Sequence, residues 1–144
     1  MLLEGVIMRT EKPKILLVDD TPANLFATQI VLKELNCQTI TAQSGQEALD
    51  MLQEYEFALV LMDIHMPIMD GFEAAKRIFD NPSTKETPII FVTADKTQTE
   101  VNKLMNTRAV GYMCKPIDTD ALKRKVKLFL NIYDQKQRLK KRKI

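Results

Sequence analysis

Residues 57–71 read FALVLMDIHMPIMDG, and the first seven of them decide the fold. Phe57–Met62 is an unbroken apolar run. A strand with no polar side has no face to offer water, so it must be covered above and below. Asp63 follows at once, and Asp63–Asp70, with Pro67 inside it, reads as a loop. Gly71–Phe79 then has helical spacing, with Phe72, Ala75 and Phe79 apolar.

The same alternation extends outward in both directions. Toward the N-terminus, Lys14–Asp19 (KILLVD) reads as a buried strand that ends in acid. Thr21-Pro22 offers an N-cap and a first-turn proline, and Leu25, Ile30, Val31, Leu32 and Leu35 continue a helix to about Asn36. Gln38–Ala42 is a short β-prone run. Ser44-Gly45-Gln46-Glu47 is a capping box opening a second helix, with Ala48, Leu49 and Leu52 on one face. Toward the C-terminus, Asn81–Thr87 is a polar link and Pro88–Thr93 a fourth strand. Lys96–Asn106 is a weaker helix, Ala109–Cys114 a fifth strand, and a last helix begins at Asp118. Strand and helix alternating in this way predict an α/β fold of three layers around a parallel sheet, with right-handed crossovers. Ligands of such sheets bind outside the carboxyl ends of the strands.

Composition agrees. The 144 residues are 45% hydrophobic and 28% charged, enough for one core without a disulfide or metal staple. The net charge of +2 is unevenly placed: residues 134–144 (DQKQRLKKRKI) hold six Lys/Arg and one Asp, and the rest of the chain is mildly acidic. A basic helix end is ordinarily a solvated face. It has no interleaved aromatic residues and no DNA-reading motif, so no nucleic-acid role is expected. Cys37 and Cys114 lie far apart in apolar surroundings and are expected to be buried free thiols. The first residues do not resemble a secretory leader, no run reaches membrane-spanning length, and a cytoplasmic location is expected.

The predicted strand ends gather the chemistry. Asp19 and Asp20 follow the first strand, Asp63 the third, Thr93 closes the fourth, and Lys115-Pro116 follows the fifth. Singly, each is ordinary, since an Asp after a strand is most often a cap or a solvated turn. Together they bring three carboxylates to one rim, where each raises the pKa of the others unless a cation offsets them. A hard divalent cation with oxygen ligands, Mg²⁺ above all, suits that set. The ammonium of Lys115 and the hydroxyl of Thr93 complete a constellation for phosphoryl transfer to a carboxylate, with Asp63 as nucleophile.

The segments LLVDD (16–20), LVLMDIHMPIMDG (59–71), PIIFVTA (88–94) and GYMCKP (111–116) resemble, in order and spacing, the receiver domain of response regulators in two-component signalling. The resemblance runs from Lys14 to about Tyr133. It implies a flavodoxin-like, doubly wound, five-stranded parallel sheet of order 2-1-3-4-5; the extended C-terminal helix expected from Asp118 onward departs from that pattern. It implies that Asp63 accepts a phosphoryl group. Asp20 would bind Mg²⁺ directly, Asp19 through water, and His65 through its backbone carbonyl. Lys115 would pair with the phosphoryl group, and Lys115-Pro116 would be a cis peptide. Thr93 and Tyr112 would form the switch, Thr93 swinging to the phosphoryl oxygen and Tyr112 turning inward behind it. His65 and Asp95 stand two residues after Asp63 and Thr93; they are expected to flank the path of attacking water, to pair and to tune hydrolysis.

The implied partners are a histidine kinase or phosphotransfer protein as donor, and an output domain or partner protein on the surface of Lys96–Asn106, Tyr112 and the last helix. Leu128, Ile132 and Leu139 form a faint heptad there, which offers a homodimer contact or a coiled-coil start. The chain thus divides into an N-terminal extension (1–12), a receiver domain (13–133), and a basic helical tail or coiled-coil linker (134–144). The wording around the last helix is similar to receivers placed before a larger module, so a longer parent chain is expected. Met66 and Met69 are read as loop packing, and His65 as no phosphohistidine, because it lies in a proline-containing loop.

Three other readings compete. A Mg²⁺-dependent phosphatase with an Asp nucleophile would need a D-x-D motif after the first strand, where Asp19 and Asp20 are adjacent. A flavin-binding module would need a phosphate loop rich in Ser, Thr and Gly where TPANL stands. A receiver that only docks would lack part of the site.

Overall fold

The computed structural model describes residues 2–3, 6–7 and 11–142. Half of the expected extension over 1–12 therefore lies outside the described residues; within it, Leu2–Leu3 pairs antiparallel with Val6–Ile7. The remainder is one sheet and five helices: β1 (Lys14–Val18), α1 (Pro22–Leu32), β2 (Gln38–Ala42), α2 (Gly45–Glu54), β3 (Leu59–Asp63), α3 (Gly71–Asp80), β4 (Ile89–Thr93), α4 (Gln98–Met105), β5 (Gly111–Cys114) and α5 (Thr119–Arg142). All neighbouring strands of the sheet run parallel, in the order β2-β1-β3-β4-β5. This is the flavodoxin-like order 2-1-3-4-5.

The pleat sorts the apolar strands into two cores. Leu16, Val18, Val60, Met62, Ile89 and Phe91 face one way and pack on Ala48 and Leu52 of α2, Ala74, Ala75, Ile78 and Phe79 of α3, and Leu104 of α4. Ile15, Leu17, Leu59, Leu61, Ile90 and Val92 face the other way, onto Leu25 and Leu32 of α1 and Leu122 and Val126 of α5. Every residue of β3 and β4 is buried, as a strand without a polar face requires. Met66 and Met69 belong to the first core, which agrees with loop packing.

Element ends depart from expectation for local reasons. Thr21 occupies the N-cap of α1, but its hydroxyl makes no cap bond; its N–H donates to Asp19 Oδ1 at 2.9 Å instead. α1 stops at Leu32, four residues short of Asn36, because Lys33 and Leu35 donate three residues back to Ile30 and Leu32 and tighten the chain into turns. Leu35 stays buried all the same. β4 starts at Ile89, since Pro88 has no N–H to give the ladder, although its carbonyl accepts from Val60 at 2.9 Å. The capping of α2 is as expected, with Ser44 accepting from the Glu47 N–H at 3.1 Å. Both cysteines are free but only half-buried, not fully enclosed; burial still pushes the Cys37 thiol up.

The loop from β3 to α3 is anchored where it matters. Asp63 lies inside the ladder, opposite Val92, so its backbone is fixed by a central strand. The Gly71 N–H donates to the Ile64 carbonyl at 2.7 Å, and Asp70 caps α3 by accepting from Glu73 N–H at 2.9 Å. A Cβ on Gly71 would stand 2.3 Å from the Asp63 carbonyl oxygen and 2.8 Å from Ile64 Cα, both backbone atoms. Only glycine allows that approach. Gly71→Ala is therefore expected to lower stability by about 1–3 kcal/mol, measured by urea unfolding, with the loss arising at the turn that presents Asp63.

Candidate functional site

Asp19 leaves the end of β1 with its N–H on the Ala42 carbonyl at 3.1 Å. Its side chain is held from three sides: Oδ1 accepts from Thr21 N–H at 2.9 Å, and Oδ2 accepts from Asn24 Nδ2 at 3.2 Å and Lys115 Nζ at 3.3 Å. Asp63 is 6% exposed, and its Oδ1 lies 3.4 Å from Lys115 Nζ. Asp20 is exposed beside them. The three acids each offer an oxygen within 4.8 Å of the others. The Lys115-Pro116 peptide is cis, and the Lys115 N–H donates to the Thr93 carbonyl at 2.8 Å, which ties Lys115 to the end of β4. Asp19, Asp63 and Lys115 also line a cavity of about 330 Å³ between α1 and α5.

Three carboxylates share one ammonium here, and the electrostatics record the deficit. Burial, then the charge of Asp19, raises the Asp63 pKa; Lys115 opposes this without cancelling it. Burial works against the Lys115 ammonium, yet Asp63 and Asp19 together outweigh it and raise its pKa. A cleft of carboxylate oxygens, still short of positive charge after its lysine is counted, has the donor set of a hard dication such as Mg²⁺.

Thr93 closes β4 and is 1% exposed. Its hydroxyl oxygen accepts from Asp95 N–H at 3.0 Å and lies 3.5 Å from Glu100 Oε2. The expected His65–Asp95 pair is present only as a long contact, Nε2 to Oδ2 at 4.0 Å. The short contact of His65 is with Glu100, at 2.8 Å. Tyr112, opposite Phe91 in the ladder, is 38% exposed. The sequence positions thus fall into two groups: Asp19, Asp20, Asp63 and Lys115 in the cleft, and Thr93, Asp95 and His65 around Glu100 beside it.

The sequence motifs do not single out Asn24 or Glu100. Thr97 and Glu100 have capping-box spacing, and Thr97 Oγ1 does accept from Glu100 N–H at 3.2 Å. That pattern suggests a solvated cap, whereas Glu100 is 5% exposed. The available signal was its place one turn before the buried Leu104 on the same face of α4.

Residues 15–127 match the family of response regulator receiver domains. The chain belongs to that family. This receiver domain is 35% identical over 108 residues to the signal transduction histidine-protein kinase BarA of Escherichia coli (strain K12), a match covering 75% of this chain and 12% of that protein. It is 37% identical over 113 residues to a probable cyclic di-GMP phosphodiesterase of Vibrio cholerae, covering 78% of this chain and 25% of that one. Among solved structures it is similar to the receiver domain of sensor histidine kinase PA1611 from Pseudomonas aeruginosa PAO1, described with a magnesium ion coordinated in the active-site cleft; the TM-score is 0.76 at 25% identity, covering 83% of this chain and 98% of that one. The receiver spans a small part of these curated relatives. It is a signalling domain of two-component systems, and phosphoryl acceptance is the function of its family.

The raised Asp63 pKa makes a prediction about stability. Ionised Asp63 costs stability near neutral pH, and the cost falls away as pH drops through its raised folded pKa toward the ordinary carboxylate value. In Mg²⁺-free buffer, Asp63→Asn is expected to raise Tm at neutral pH, with the gain shrinking under acid. A thermal unfolding series across pH checks this; a lower Tm for the variant at neutral pH would contradict it.

Proposed function

We propose that Asp63 is the phosphoacceptor of this receiver, and that its phosphorylation drives a switch through Thr93 and Tyr112. The observation that carries the reading is the position of the Asp63 carboxylate: fixed at the end of a central strand, shielded from water, and facing Lys115 at 3.4 Å across a cleft of acids. Asp63 Oδ attacks the phosphorus of a donor phosphohistidine; the P–N bond breaks as the P–O bond forms, and the imidazole leaves. Lys115, already within reach of Asp63, stabilises the charge gathering on the phosphoryl oxygens. Oxygens of Asp19, Asp20 and Asp63 and the backbone carbonyl of His65 would hold Mg²⁺, which supplies neutralisation of the acids and of the incoming phosphoryl group.

Thr93 is poised for the second half. Its hydroxyl sits beside Asp95 and Glu100, and a phosphoryl group on Asp63 offers a stronger acceptor. Leaving Glu100 for that acceptor frees space beside β5, and Tyr112, partly exposed, turns into it. The surface of α4, β5 and α5 then changes shape for an output domain or partner protein. A histidine kinase or phosphotransfer protein is the donor.

The helix α5 runs unbroken from Thr119 through Arg142 and so crosses the boundary at 133/134. We read 13–133 as the receiver and 134–144, helical through Arg142, as a basic helical tail or the start of a coiled-coil linker. Of the heptad positions Leu128, Ile132 and Leu139, the first and last lie exposed on that helix, while Ile132 is half-buried. Near its end, Gln137 donates to Glu56 at 2.8 Å and so rests on the body.

Acetyl phosphate with Mg²⁺ tests the assignment. The intact protein is expected to gain the mass of one phosphoryl group, Asp63→Asn none, and Lys115→Ala to react about 10²-fold more slowly or worse. Equal labelling of Asp63→Asn would overturn it.

A further inference from the structure

We propose that His65, Asp95 and Glu100 form a second cation site, distinct from the acidic cleft, that takes a transition-metal dication of the Zn²⁺ or Co²⁺ type. An imidazole nitrogen and two carboxylate oxygens, drawn from the loop after β3, the loop after β4 and the first turn of α4, lie within 4.8 Å of one another. The donor chemistry separates this site from its neighbour. The cleft offers oxygen only, which suits Mg²⁺; a mixed imidazole and carboxylate set suits borderline metals.

The ligands are arranged before any ion arrives. Asp95 Oδ1 accepts from Thr97 N–H at 2.9 Å, which leaves Oδ2 on the His65 side. Glu100 is fixed at its backbone by Thr97 Oγ1, and its side chain is 6% exposed. His65, 59% exposed at its side chain, leaves an approach from solvent. Bonds of ~2.0 Å in a tetrahedral site put ligand atoms about 3.3 Å apart. The observed separations from His65 Nε2, 2.8 Å to Glu100 and 4.0 Å to Asp95, bracket that value. A buried carboxylate also needs positive charge beside it, and two acids against one imidazole leave a deficit that a dication fills. Because Thr93 Oγ1 lies 3.5 Å from Glu100 Oε2, an ion here would stiffen the surroundings in which Thr93 now sits. That consequence rests on the switch proposed above; the binding itself does not.

The test is Co²⁺ titration of the intact chain in excess Mg²⁺, which occupies the cleft, followed by visible ligand-field absorbance and displacement with Zn²⁺. One Co²⁺ per chain is expected, displaced by Zn²⁺, with affinity roughly tenfold lower or worse in His65→Gln and Asp95→Asn and retained in Asp63→Asn. His65 is exposed, so His65→Gln is expected to fold, and circular dichroism verifies it. Absence of one-equivalent binding, a spectrum unchanged in His65→Gln, or loss of the spectrum in Asp63→Asn would each overturn the site. The readout is the metal spectrum and not phosphorylation, so its failure leaves the assignment of Asp63 standing, and failure of that assignment leaves the metal result intact.

Discussion

Three carboxylates confined to one rim of a sheet, with a single lysine to offset them, form the constraint on which the rest depends. Left to themselves, Asp19, Asp20 and Asp63 would spread into water. They stay together because the backbone gives two of them no freedom. Asp63 is part of the β3 ladder, and Asp19 is tied to β2 by its N–H and to Thr21, Asn24 and Lys115 by its side chain. The two apolar cores on either face of the sheet stabilise the strands enough to carry that repulsion. What remains is a cleft of carboxylate oxygens with the donor set of a hard dication.

Thr93 connects the cleft to the surface. Its carbonyl receives the Lys115 N–H, so the strand end that places the lysine also places the hydroxyl. On its other side the hydroxyl meets Asp95 and Glu100, and Glu100 holds His65. The backbone of Thr93 thus meets the cleft group, while its hydroxyl meets the other. The loop after β3 links both groups through the chain itself, since Asp63 and His65 are two residues apart.

Much of this was legible in the residues. The unbroken apolar run before Asp63 announced a strand covered on both faces, and the acids, hydroxyl and lysine at successive strand ends announced a shared rim. Order along the rim came from family resemblance, because spacing alone does not rank parallel strands. What escaped was set by tertiary contact. The Thr21 hydroxyl reads as a cap, but the Asp19 carboxylate takes the Thr21 N–H. Glu100 reads as a surface cap partner, but the face of α4 that it shares with Leu104 turns it inward, where it displaces Asp95 as the near partner of His65. Cys37 and Cys114 read as core residues, but one lies in a connection and the other at the end of the edge strand, and both stay half-exposed.

The cleft holds more negative charge than its lysine neutralises, a deficit that a bound cation would relieve. The side-chain carboxyl of Asp63, followed by ¹³C NMR across pH with and without Mg²⁺, reports this at the atom concerned. An Asp63 pKa above the ordinary carboxylate value is expected in the free protein, with a marked fall on adding Mg²⁺. An Asp63 that titrates as an ordinary carboxylate in free protein, or one indifferent to Mg²⁺, would contradict it.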